Sequence, residues 1–162
     1  MTAVAVRDLY LAELNDLYDA EQQVLRELPL LAAGSTSDEL RQVFEVHYRR
    51  TLQQVERLER LFAHLDERPR SVGGRALRGI IEDARLRHGH LERGDALDAA
   101  LIAAAQRIED YEIAAYRCAH AHALSLPDEN GVRMLQETLA EEGGMEQRLA
   151  QLQATGYQLP AG

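Results

Sequence analysis

In the stretch QRIEDYEIAAY, residues 106–116, Glu109 and Glu112 stand three apart on a face that also carries Ile102, Ala105, Tyr116 and Ala119. Residues three or four apart are neighbours on a helix surface, so both carboxylates approach one point. Two carboxylates that close repel each other unless a proton or a cation lies between them. Asp110, between them in sequence, points elsewhere and reads as solvent-facing. Three further ionisable groups sit on apolar stripes. Glu21 has Leu17 at i−4, Leu25 at i+4 and Leu28 at i+7. Glu142 has Leu139 at i−3, Met145 at i+3 and Leu149 at i+7. His47 has Val43 at i−4, Phe44 at i−3 and Thr51 at i+4. A charge on a packing face is costly unless it is paired or bound to a metal.

These groups suit a site for two divalent cations. Such a pair needs about four carboxylates for neutrality, with imidazole completing the shells. Glu21, Glu109, Glu112 and Glu142 supply the carboxylates, and Glu146 flanks Glu142 one turn on. His47 is the one imidazole placed to join them. Blander readings stay open. Glu21 and Glu142 suit boundary residues whose heads reach water, and His47 suits a satisfied core histidine. Glu109 and Glu112 suit a salt-bridge cluster with Arg107 and Arg50. His88 with His90, and His120 with His122, alternate and so point apart on a helix; they read as surface groups.

The elements that position these residues read as helices. Ala, Leu, Glu, Gln and Arg dominate, and all are good helix formers. With no Trp, two Phe and four Pro, the fold class is all-α. The first helix spans about residues 4–33, with Pro29 inside it as a kink or shift and Gly34 at its end. Thr36 and Glu39 fit a capping box that opens a second helix, about residues 37–66. Pro69, Gly73 and Gly74 break the pattern. A shorter helix over about 75–91 follows, then long helices over about 95–124 and 129–154, and an irregular tail. The order is hairpin, long crossover, hairpin. That is a ferritin-like four-helix bundle with an additional short helix in the crossover. The strict di-iron pattern of that fold includes Glu-x-x-His on two helices, and this chain contains none.

Residues 1–162 read as one domain with a bundle core over about 4–154. The net charge is −9 and Lys is absent, which argues against a nucleic-acid partner. Residues 67–94 are locally basic, with seven basic and four acidic groups, and read as a solvated connector or a small anion-facing patch. Cys118, the one cysteine, excludes an internal disulfide and reads as a small core filler. No apolar run approaches the ~18 residues of a membrane span. The N-terminal MTAVAVRDLY lacks a secretory pattern, so the expected location is the cytoplasm.

Four stretches carry a resemblance in order and spacing: LYLAELNDLYDAEQQVLRELP, HYRRTLQQVERLERLF, DAALIAAAQRIEDYEIAAY and ETLAEEGGMEQRL. The chain resembles the bacterial YciE/YciF-type ferritin-like proteins, a family of small stress-associated proteins, over about residues 6–154. The resemblance implies a bundle, often dimeric, with a di-iron centre. It maps Glu21, His47, Gln54, Glu109, Glu112, Glu141 and Glu142 onto the family pattern, and Glu146 and Glu82 onto commonly acidic positions. Arg50 stands where the family commonly has an acid, and Asp110 where it commonly has His. An inward Arg50 would pair with Glu109, Glu112 or Glu142 and replace the metal with an ion-pair core. An outward Arg50 leaves room for iron or manganese.

Two functions follow. One is a di-iron or di-manganese protein that handles O2, peroxide or iron in stress, with Tyr18, Tyr111 or Tyr116 as a nearby phenol. The other is a metal-free structural or interaction protein of the same fold. Either is expected as a homodimer or small homo-oligomer.

Overall fold

The computed structural model describes residues 3–156, so the expected irregular tail lies largely outside the described residues. Five helices account for the architecture: α1 (Ala3–Gly34), α2 (Asp38–His64), α3 (Arg75–His88), α4 (Asp95–Leu124) and α5 (Glu129–Gly156). No strand occurs among the described residues. The long helices form two antiparallel hairpins, α1–α2 and α4–α5, and α1 packs on α4 to join them. α3 lies in the crossover against α4, with a lighter contact to α1. No described helix is long and apolar enough to cross a membrane.

α1 runs unbroken through Pro29 to Gly34, about 48 Å at 1.5 Å per residue. Pro29 is exposed, so water can solvate the carbonyl its missing N–H leaves free. The cap of α2 differs from expectation by one residue. Ser37 is the N-cap, with extended backbone, and its side chain accepts from Leu40 N at 3.3 Å. Thr36 is engaged across the bundle instead. Its hydroxyl accepts from Gly94 N at 2.8 Å, and Asp98 on α4 accepts from the N–H groups of Thr36 at 2.6 Å and Ser37 at 2.7 Å.

The crossover is tied to α1. Asp19 Oδ2 accepts from Val72 N and Gly73 N, each at 2.7 Å, and Gln23 Nε2 donates to Gly74 O at 3.0 Å. Gly74 has φ 44°, a left-handed conformation that favours glycine, and a side chain there would push the Gln23 amide off its bond. α3 is pinned by Arg85, which reaches Glu27 of α1 through two hydrogen bonds.

The core divides in two. One apolar cluster includes Val24, Leu28, Phe44, Leu101, Ile108 and Leu149. The other includes Tyr10, Leu14, Leu17, Leu58, Phe62, Tyr116 and Leu135. On each long helix the break between the clusters falls at a polar residue: Glu21, His47 to Gln54, Glu109 with Glu112, and Thr138 with Glu142. Cys118 is exposed, contrary to the expected core role. The inward stripe of α4 runs through Glu112, Tyr116 and Ala119, and residue 118 lies off it.

α5 begins at a buried cap. Asp128 accepts from Gly131 N at 2.8 Å and from the Tyr10 hydroxyl at 3.0 Å, and His64 Nε2 lies 3.2 Å from it. A methyl group on Gly131 would collide with both the Asp128 carboxylate and the Tyr10 hydroxyl. On the exposed face of α3, a methyl on Gly79 meets nothing within 4 Å. One substitution should therefore have opposite signs at two sites. Gly131→Ala is expected to destabilise by about 1–2 kcal/mol through loss of the cap. Gly79→Ala is expected to stabilise by about 0.5–1 kcal/mol. Urea unfolding measures both, and equal effects would contradict this role for the cap.

Candidate metal centre

Each long helix delivers side chains to the layer between the apolar clusters. α1 brings Glu21. α2 brings His47, Thr51 and Gln54, and α4 brings Glu109, Glu112 and Tyr116. α5 brings Thr138 and Glu142. Glu21, Glu109, Glu112, Glu142 and His47 are each 0–1 % exposed. This excludes the boundary reading for the glutamates, since none reaches water.

His47, Glu109, Glu112 and Glu142 each offer a ligand atom, and the four atoms lie within 4.8 Å of one another. His47 Nε2 and Glu109 Oε1 are 2.9 Å apart but are not aligned for a hydrogen bond. Both oxygens of Glu109 and of Glu112, both nitrogens of His47, Glu21 Oε2 and Glu142 Oε2 are buried without a hydrogen-bond partner. Buried polar groups in native proteins are rarely left so. Three carboxylates and a neutral imidazole form a donor set suited to first-row divalent cations. Ligands on one cation at about 2.0–2.2 Å lie within about 4.4 Å of one another, so side-chain adjustments of a few tenths of an ångström complete the fit.

Glu21 stands beside the convergent four. Its Oε1 accepts from the Tyr116 hydroxyl at 2.5 Å, while Oε2 remains free and faces Glu112. Of the three expected phenols, Tyr116 is the one at the site. Tyr18 donates outward to Glu59 at 3.0 Å, and Tyr111 packs against the first apolar cluster. Glu146 is half-buried one turn along α5 and is not among the converging donors.

Burial dominates the electrostatics. It pushes Glu21 up to about 8, helped by the charge of Glu142, and Glu109 up to about 7. Glu112 and Glu142 are raised well above the usual carboxylate range by burial and then by neighbouring carboxylates. Glu112 faces Glu21 and Glu142 faces Glu109, so each pair needs a proton or a cation between its members. Burial lowers His47, which leaves it neutral, the form that ligates metals.

The surrounding shell was less legible in sequence. Gln54 Nε2 donates to Glu142 through a short bond and to Glu141 Oε2 at 3.2 Å. Arg57 grips Glu141 with two parallel bonds of 2.9 and 3.0 Å, and also reaches Thr138 at 2.7 Å and Glu137 at 2.8 Å. Sequence reasoning missed Arg57. The signal was its place three residues past Gln54 on the stripe of His47. Glu141, which the resemblance mapped onto the family pattern, is half-buried because Arg57 draws it in. Glu27 was also missed; it is buried toward α3 by Arg85. Arg50 does not enter the chamber. It donates to the Glu141 carbonyl oxygen at 3.2 Å and forms no ion pair with a described carboxylate. Arg107 is exposed and bonds Ala103 O of its own helix, so the expected cluster of Arg50 and Arg107 with Glu109 and Glu112 does not form.

The family described as Domain of unknown function (DUF892) matches residues 5–161. Protein YciF of Escherichia coli (strain K12) is 33% identical over 94% of this chain and 92% of its own length. The crystal structure of the E. coli stress protein YciF superposes with a TM-score of 0.89, covering 93% of this chain and 96% of the other. YcfI of Rhodopseudomonas palustris matches with a TM-score of 0.87 at 36% identity, covering 93% and 94%. Ferritin-like, diiron-carboxylate proteins from Bacillus anthracis share the fold alone, at 18% identity and a TM-score of 0.70, over 91% and 96%. The chain belongs to the DUF892 family, with the ferritin-like fold of YciF.

Proposed function

We propose that the chamber holds iron, as a pair of ions, with manganese as the alternative, and that the protein handles O2, peroxide or iron in stress. The observation that carries this reading is the set of buried, unpartnered donor atoms within 4.8 Å of one another. Iron held there supplies reversible change between its +2 and +3 states toward O2 or peroxide. The chain's own residues do the rest. Glu21, Glu109, Glu112 and Glu142 supply four negative charges against two divalent cations, and His47 supplies a neutral nitrogen. Tyr116 orients Glu21, and Gln54 orients Glu142; outer-sphere bonds of this kind tune metal affinity. Arg57 fixes Glu141 behind Gln54. The two apolar clusters exclude water above and below.

The description of its relative YciF as a stress protein supports the physiological setting. We place the protein in the cytoplasm as a homodimer or small homo-oligomer. Exposed Leu30 and Leu52 are apolar groups that a second copy would cover.

A second reading has an observation of its own. The carboxyl pairs can be neutralised by shared protons, and Arg57 already balances Glu141. A metal-free polar core would then serve a structural or interaction role. Metal content separates the two. Chelator-stripped protein loaded with Fe(II) without oxygen should retain about one to two ions per chain. Glu109→Gln should weaken retention more than about tenfold. The same variant should leave the stripped protein no less stable, because a neutral amide that can donate to Glu142 replaces a carboxyl group whose ionisation burial already opposes. Negligible retention by the parent protein sinks the metal reading.

The raised carboxyl groups give a pH signature. Between the ordinary carboxylate range and about 8, the folded stripped protein holds protons that the unfolded chain has released. Its stability is fully present below that window and is lost as pH rises through about 7 and 8. The melting temperature of stripped protein should fall by roughly 5 °C or more between about pH 5.5 and 8.5. Added Mn(II) should reverse the fall, most strongly at the alkaline end, because binding displaces the protons. A melting temperature that rises with pH would contradict the protonated chamber.

A further inference from the structure

The four sides of the bundle are not equally closed. α1–α2, α4–α5 and α1–α4 pack backbone against backbone, whereas α2 and α5 stand farther apart and are bridged by long side chains: Arg50, Gln54 and Arg57 from α2, and Arg148 of α5 to Glu39. On that side α5 carries Gly143 and Gly144, and a side chain built on either meets no atom within 4 Å. The gap is a groove of about 320 Å³, lined by Val43, Val46, Arg50, Gly144 and Met145, with Glu39 and Arg148 paired to each other at its far end, so that Arg50 is the charge there without a described ion-pair partner. Val43 and Met145 form its floor and are 8 % and 4 % exposed. His47 follows Val43 by one turn, and Glu142 precedes Met145 by one turn. A single layer of side chains therefore separates groove from chamber. Met145, unbranched and flexible, can yield there.

Arg50 stands at the rim. It is half-buried and is held across the seam by one bond to the Glu141 carbonyl oxygen. Its other N–H groups are available to a solute in the groove. Its charge is felt inside, where it draws Glu109 down and opposes protonation of His47.

We propose that the α2–α5 seam is the passage from solvent to the buried donors, and that Arg50 at its mouth selects small neutral or anionic solutes, such as hydrogen peroxide, over free divalent cations. This rests on the reading that the chamber takes metal. A fixed positive charge at the mouth repels a doubly charged ion and leaves a neutral solute unaffected. The bond holding Arg50 has a neutral acceptor, so the side chain can swing aside, and loading is slowed but not blocked.

Uptake of Co(II) by chelator-stripped protein, followed by visible absorption, tests the passage. Arg50→Gln should load about tenfold faster than the parent protein, and Arg50→Glu faster still. Arg107→Gln, the same charge change on the exposed face of α4, should load at the parent rate. Gly144→Leu should slow loading on the order of tenfold without lowering the melting temperature, since the position is open. Equal rates for Arg50→Gln and Arg107→Gln, or unhindered loading of Gly144→Leu, overturn the proposal. A second measurement needs no metal. In a Cys118→Ser, Glu142→Cys protein, the rate of anionic over cationic methanethiosulfonate at the buried thiol, each normalised to a free thiol, should be higher with Arg50 than with Arg50→Gln. Arg50→Glu should lower that ratio further. A ratio indifferent to residue 50 overturns the proposal whether or not ions are taken up. A ratio that responds, in a parent protein that binds no ion, overturns only the metal reading.

Discussion

Four carboxylates sealed between two apolar clusters set the terms for the rest of the molecule. At an effective dielectric constant of about 20, two unit charges 4 Å apart repel by about 4 kcal/mol. Several such pairs, all ionised, would exceed the roughly 5–15 kcal/mol by which a domain is stable. Protons or cations must therefore accompany these residues into the fold. The bundle supplies a neutral imidazole, a phenol on Glu21 and an amide on Glu142, yet most of the chamber's donor atoms remain free. Such an interior suits a guest with positive charge better than a core closed by its own hydrogen bonds.

The two arginines of α2 near the chamber act in different ways. Arg57 is almost wholly buried and forms a two-bond fork with one carboxylate, a geometry that lysine could not supply. It holds Glu141 as an anchor for Gln54 and so fixes the wall without entering the chamber. Arg50 is bound once, to a neutral oxygen, and keeps its charge at the edge. The ion-pair core foreseen for an inward Arg50 with Glu109, Glu112 or Glu142 is absent: Arg50 stops at the Glu141 carbonyl oxygen and stays outside the chamber.

Much of this was legible in the sequence. Spacing alone placed Glu21, His47, Glu109, Glu112 and Glu142 on inward stripes, and the long gap between hairpins gave the crossover. Periodicity reports which face of a helix is buried, so it recovers groups that sit among leucines. It does not report which long side chain reaches across to another helix. Arg57 was missed for that reason, and so was Arg85 with Glu27; Glu141 was reached only through the family pattern. Thr36 misled because its capping-box pattern is local, while Gly94 and Asp98, more than fifty residues away, decide what it binds. Cys118 misled because cysteine is so often buried that residue type was given more weight than its place on the helical wheel.

Connections throughout the chain are fastened to the first helix. Asn15, Asp19 and Gln23 hold the crossover, and Tyr10 holds the turn before α5. The carbonyl oxygens of Ala33, in its last turn, and of Ser35, just beyond it, receive Arg93. During synthesis α1 emerges before the other four helices, and its partners arrive over the next hundred or so residues. Until the last hairpin emerges, α1 must carry an apolar stripe and Glu21 with no bundle to bury them. Of the five helices, the one that organises the bundle is thus the one that waits longest for its partners.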